Sequence, residues 1–268
     1  MRILLRLLPA GLALCALAAG QNAVATDLVL SPRVYNDVSE AQLNMQAGGN
    51  SAFVSETGVN RNGANRDDFL ISGDGVTPMT FDTGSSFSLF TDLTLNADPV
   101  APRKEAGLRI NNSITGDALF IVNSDAHEIV AFGGGIPFYN FRANGAADYN
   151  VGDTVTMGMT YGQQGGVNGV VLTLIQNGIT YNSPFAAWQN NEQGIGNGSN
   201  LGMYFQIAGS DNVLSNSGSA AFTNIRFGPS RTALAPINAT AAAVPEPGSM
   251  ALLGTGLIGL LGLRRKKK

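Results

Sequence analysis

The chain has one histidine, His127, and it lies in the stretch Asn123-Ser124-Asp125-Ala126-His127-Glu128, where an amide, two carboxyl groups and an imidazole fall within six residues. Carboxylates at such spacing can do general acid–base work on a glycosidic bond or hold a divalent cation. With a single histidine, neither a serine triad nor a multi-histidine metal site can be assembled in its usual form. The same stretch sits between two apolar runs and has the composition of a hairpin turn, with His127 as an exposed turn residue. Aromatic residues give a second candidate chemistry, because a pyranose ring stacks on a flat apolar face beside amide or carboxylate partners. Trp188, the sole tryptophan, is followed by Gln189, Asn190 and further amides, and Phe138-Tyr139 lie in GGGIPFYNF. These five residues are the candidate saccharide contacts, and a large aromatic is equally suited to a core. Asp67-Asp68 and Asp74 flank FLISG and have the oxygen ligands calcium needs. No EF-hand pattern occurs and a solvated loop is the alternative, so no cofactor or metal is assigned, with Ca2+ left open at these acids.

The elements that position these residues read as strands. Between residues 27 and 230 helical periodicity is lacking, and alternation of period two recurs in short runs separated by Gly, Asn, Asp and Ser. Phe87, Leu89, Thr91, Leu93 and Leu95 share one face; so do Val155, Met157, Met159 and Tyr161, and Leu201, Met203, Phe205 and Ile207. Residues 118–123, 128–132 and 170–176 are apolar on both faces and are expected to be central strands. Asn177-Gly178 predicts a two-residue type I′ hairpin over 170–182. Further Asn-Gly pairs at 62, 144, 168 and 197 predict turns or loop tips, and a last strand is expected over Ala220–Phe227. The fold class that follows is all-β, an antiparallel two-sheet sandwich.

Both ends carry another kind of information. Arg2 and Arg6 precede an apolar stretch ending at Ala23-Val24-Ala25, the form of a signal peptide over 1–25 with a signal helix removed before Thr26. Cys15 is the only cysteine and follows a bulky Leu14 where a lipobox wants a small residue, so the processed chain is expected to be free of cysteine, disulfides and lipid. Removing residues 1–25 and 245–268 leaves 219 residues: the sandwich over 26–228 and a linker rich in small residues and proline over 229–244. Two of the 16 cations lie in the leader and five in the tail, so nine face 18 acids and the processed chain is near −9. That charge repels nucleic acid and anionic lipid.

At the carboxyl end, Pro245-Glu246-Pro247 and Gly248-Ser249 precede 14 uncharged residues, Met250–Leu263, and then Arg264, Arg265 and three lysines. As a helix those 14 residues span roughly 21 Å against about 30 Å of bilayer hydrocarbon, a short and transient transmembrane helix whose basic end stays inside. Order, spacing and terminal position all resemble the PEP-CTERM sorting signal of Gram-negative bacteria that make exopolysaccharide. The resemblance implies recognition by an exosortase-type membrane peptidase, with Pro245, Glu246 and Pro247 as the processing site, and delivery to the cell surface or extracellular matrix. Both prolines hold that segment extended, as a peptidase requires.

Glu105–Ile110, the two-faced strands after it and the closing AAFTNIRF are similar to concanavalin A-like jelly-roll sandwiches. Asn123–Glu128 resembles the E-x-D-x-x-E strand of jelly-roll glucanases, with Asp125 and Glu128 at its second and third acids. Asn123 stands where that family has its nucleophile, and an amide cannot form a glycosyl ester. The expectation is therefore an exported, non-catalytic surface or matrix protein associated with exopolysaccharide. A hydrolase or lyase on the same fold and a structural biofilm component without a ligand are the alternatives.

Overall fold

A computed structural model of the protein describes residues 27–112, 116–188, 198–211 and 216–228. The expected signal and tail helices, the expected linker, and Gln189, Asn190 and Pro245–Pro247 lie outside them. The described residues form fifteen strands: β1 (Asp27–Asn36), β2 (Gln42–Gly48), β3 (Ser51–Val59), β4 (Gly63–Ser72), β5 (Phe87–Ala97), β6 (Lys104–Asn112), β7 (Gly116–Asn123), β8 (Glu128–Gly133), β9 (Ile136–Asn140), β10 (Thr154–Gln164), β11 (Val167–Gln176), β12 (Ile179–Asn182), β13 (Ala186–Ala187), β14 (Leu201–Gly209) and β15 (Asn216–Gly228). They form a seven-stranded sheet of order β1-β4-β14-β6-β7-β8-β9 and an eight-stranded sheet of order β12-β11-β10-β5-β15-β3-β2, with β13 on β11. Every pairing is antiparallel. The fold is therefore all-β with two antiparallel sheets.

The alternating runs form the core between the sheets. Phe87, Leu89, Leu93 and Leu95 of β5, Val155, Met157, Met159 and Tyr161 of β10, and Leu201, Met203, Phe205 and Ile207 of β14 are all buried in one cluster. Thr91, on the buried face of β5, satisfies its hydroxyl by donating to the Thr223 carbonyl at 3.0 Å. Ile121 and Val130, from the two-faced runs, instead join Tyr204 in a separate cluster. They belong to the face of the seven-stranded sheet that points away from the core, since successive side chains alternate sides.

The β11–β12 hairpin turns on Asn177 (φ 53°) and Gly178 (φ 77°), the two positive φ angles a type I′ turn requires. The pair at 168 departs from expectation. Asn168 and Gly169 lie inside β11, where Gly169 pairs with Gly162 and Ala187. A side chain at Gly169 would meet the Phe185 ring and the Ala186 carbonyl, so this glycine serves a close approach, and the turn falls on Gly165-Gly166 (φ 60° and 82°). The closing strand begins earlier than expected, at Asn216, and lies between β5 and β3 inside its sheet.

Candidate functional site on the outer face of the seven-stranded sheet

Period two divides the charged residues of β4 between the two sides of its sheet. Asp67 points inward with Asn65, Phe69 and Ile71, and Asp68 points outward with Arg66. The adjacent acids that were considered together as calcium ligands therefore lie on opposite sides of the sheet. Asp74, the third, accepts from the backbone N–H of Val76 and Thr77 and from the Ser72 hydroxyl; those bonds hold its carboxyl down at about 2.

Arg66 and Asp68 on β4, Arg109 on β6 and Asp117 on β7 form a closed ring of alternating charge on the outer face. Arg66 reaches Asp68 at 2.9 Å and Asp117 at 2.6 Å, while Arg109 reaches Asp68 at 3.2 Å and Asp117 at 3.0 Å. Asn111 and Asn200 add bonds to Asp117 and Arg109. Both arginines and Asp68 are less than a tenth exposed, and the pairing compensates the loss of water. For Asp117 burial acts upward, but Arg109, Asn111 and Arg66 together hold the carboxyl below its ordinary value. Asp68 goes the other way, since burial outweighs its two arginines.

A second group adjoins the ring. Tyr204 donates to Glu105 at 2.9 Å, Glu105 pairs with Arg103, and the Arg66 guanidinium stacks over the Tyr204 ring at 4.6 Å. Complete burial raises the Tyr204 phenol well above its ordinary value. Gly107 lies opposite Tyr204 and Gly202 opposite Arg109 in the β14–β6 register, and a side chain at either would run into backbone of the adjoining strand, at the Phe120 and Phe69 carbonyls.

The sequence-expected residues fall in different places. Asn123 and Glu128 close the β7–β8 hairpin, with the amide nitrogen 3.5 Å from the Glu128 carboxylate, and Ser124–His127 form the turn. The six residues thus do not lie along one strand with alternate acids facing a cleft. His127 occupies the left-handed region (φ 56°), and its Nδ1 lies 3.0 Å from the Tyr149 carbonyl. Trp188 is 6% exposed and packs edge-on against Tyr161 at 5.7 Å, within the main core cluster. Phe138 and Tyr139, adjacent on β9, point to opposite sides. Tyr139 meets Phe141 edge-on at 4.9 Å, whereas the Phe138 ring is 65% exposed on the outer face.

Sequence reasoning missed the charged ring, and it missed Tyr35. That residue, on β1 opposite Arg66, is 48% exposed. Tyr35 and Phe138 therefore present rings on the outer face at its two opposite edge strands, six inter-strand steps or roughly 29 Å apart. The one local signal was the run of polar residues Asn65–Asp68 set directly against the apolar Phe69–Ile71; the partners on β6 and β7 had none.

Residues 243–266 match the PEP-CTERM protein-sorting motif. A chain that carries this motif is an exported protein, sorted through the membrane and processed by an exosortase, itself a membrane protein. No curated protein sequence matches the chain. Among solved structures the fold is similar to the alginate lyase from a Corynebacterium species, at 13% identity and a TM-score of 0.49 over 76% of this chain and 95% of that one. It is also similar to an alginate lyase of Polysaccharide Lyase family 7, at 13% identity and a TM-score of 0.44 over 77% and 95%. A legume lectin-like domain from Entamoeba histolytica matches at 9% identity and a TM-score of 0.42 over 76% and 90%. Likeness at this level says nothing of chemistry.

Proposed function

We propose that the protein is a cell-surface or extracellular-matrix component that associates with extracellular polysaccharide without cleaving it. The observation that carries this reading is the sorting motif at 243–266. On this reading the leader takes the chain out by the Sec route, the exosortase cuts near Pro245-Glu246-Pro247, and the two-sheet domain works outside the cell. Saccharide lies across the outer face of the seven-stranded sheet, stacked on Phe138 at one margin and Tyr35 at the other.

A non-catalytic role is supported by how the chemically able groups are engaged. Asn123 offers no nucleophile, the His127 ring is bonded to the Tyr149 carbonyl, and Tyr204, with its raised pKa and its bond to Glu105, is a poor base near neutral pH. Arg66 and Arg109 are each shared by two carboxylates, so their charge is balanced within the ring.

Retention on the cells' own purified exopolysaccharide tests the reading. Phe138→Ala and Tyr35→Ala should each weaken retention about fivefold, the equivalent of roughly 1 kcal/mol of ring stacking. Equal retention by both variants removes the assigned face, and failure of the wild-type protein to bind removes the function. Release of reducing or unsaturated ends, abolished in Glu128→Gln, would establish the enzyme alternative.

A further inference from the structure

Among the described residues two sheets leave four edges, one of them shared by β12 and the two-residue β13, and three of the four are blunted. β1 breaks register between Ser31 and Tyr35 around Arg33, which has φ 58°. β9 is five residues long and contains Pro137, and β12 is four residues long and followed closely by Pro184. Such devices stop an edge from recruiting another strand. β2 has none of them. Its seven residues, QLNMQAG, contain no charge and no proline, and they pair with β3 from Gln42 to Gly48 without a register shift. Gln42, Asn44, Gln46, Ala47 and Gly48 are exposed, and among the described residues no strand pairs with the outer side of β2.

Alternate backbone N–H and C=O groups along that side need a partner that is itself extended and antiparallel or parallel to it. Charge selects among partners. With the processed chain near −9, most of its surface repels a second copy, but the strip around β2 does not. Near its start Glu40 and Arg61 neutralise each other at 3.1 Å, and Glu56, opposite Leu43, is paired with Arg33; Asp27 lies beside Ala47 and Gly48 at its far end. A shallow groove of about 380 Å³ on the same sheet, lined by Gln46, Gly48, Ser51, Phe53, Ala221 and Thr223, is uncharged. An antiparallel edge placed against itself is self-complementary about a two-fold axis and closes at two copies.

We propose that β2 is a self-association edge through which two copies of this chain pair antiparallel, joining their eight-stranded sheets into one. The inference rests on edge chemistry alone and stands apart from the saccharide reading. Sedimentation equilibrium on protein harvested from the cell surface should give a dimer at micromolar concentration. Asn44→Lys with Gln46→Lys, both on exposed side chains, should weaken association at least thirtyfold with an unchanged melting temperature, while Thr180→Lys on β12 leaves it intact. Because the processed chain is expected to lack cysteine, single cysteines at 42, 44 and 46 should give disulfide-linked dimers, with the greatest yield nearest the two-fold axis. A wild-type monomer at about 100 µM, a lysine variant that dimerises like the wild type, or no cross-link at any of the three positions would each overturn the proposal.

Discussion

Asp67 and Asp68 are neighbours in the chain and opposites in the fold. Asp68 shares two arginines on the outer face, whereas Asp67 accepts from the Arg33 N–H at 2.8 Å and is otherwise surrounded by the interior. Burial pushes the Asp67 carboxyl up to about 6; the Arg33 bond works against it and the neighbouring Glu56 works with it. Arg33 is the guanidinium paired with Glu56, so one cation serves two interior acids. The folded carboxyl therefore holds its proton at a pH where the unfolded one has lost it. Stability from this group is present below about 4 and declines as pH rises through about 6. Asp67→Asn should remove that slope, leaving the variant up to about 2–3 kcal/mol more stable relative to wild type at pH 8 than at pH 4. Melting curves across that range check it. In the ring of charge, Arg66→Met leaves Asp68 and Asp117 short of a partner and should cost about 3–5 kcal/mol. Arg66→Met with Asp68→Leu keeps the Arg109–Asp117 pair and should recover most of that loss, as a double-mutant cycle by denaturant unfolding would reveal.

At the scale of elements, what could be read from the chain depended on contrast between the two faces of a strand. β5 and β10 announce themselves because one face is dry and the other wet, and the Asn177-Gly178 turn because its φ angles demand those residue types. β1 and β2 give less contrast: β1 carries Leu28, Val29, Leu30, Val34 and Tyr35 with no face fully dry, and in β2 Leu43 and Met45 are only half-buried between exposed Gln42, Asn44 and Gln46. Asn168-Gly169 misleads because glycine serves close approach as readily as it serves turns, and only the position of Phe185 separates the two. Gly178→Ala, at φ 77°, should cost about 1 kcal/mol. Gly107→Ala should cost more, about 3 kcal/mol, because the new methyl runs into the Phe120 carbonyl on the adjoining strand rather than into open space. Comparing the two denaturation midpoints separates backbone strain from steric collision.

For the whole molecule the sorting motif marks the chain for export through the membrane. Intact-mass measurement of surface-harvested protein should show the chain beginning near Thr26 and ending near Pro245–Pro247, without the basic end. Replacing Pro245-Glu246-Pro247 by alanines should leave the uncut chain, Lys268 included, in the membrane fraction. Material at the surface that retains its lysines would remove the assignment of those three residues as the processing site.

The sequence by itself determined the class of the domain and that the protein is exported. A sorting signal is read by other molecules as a contiguous, extended segment, and strand periodicity is written in successive residues. Only the tertiary structure decided which residues share a surface. Arg66 meets Asp117, Tyr204 meets Glu105, and Tyr35 and Phe138 come to opposite margins of one face because the order of strands in the sheet differs from their order in the chain. Sheet order depends on nonlocal pairing of whole strands, and no local pattern of residue types encodes it.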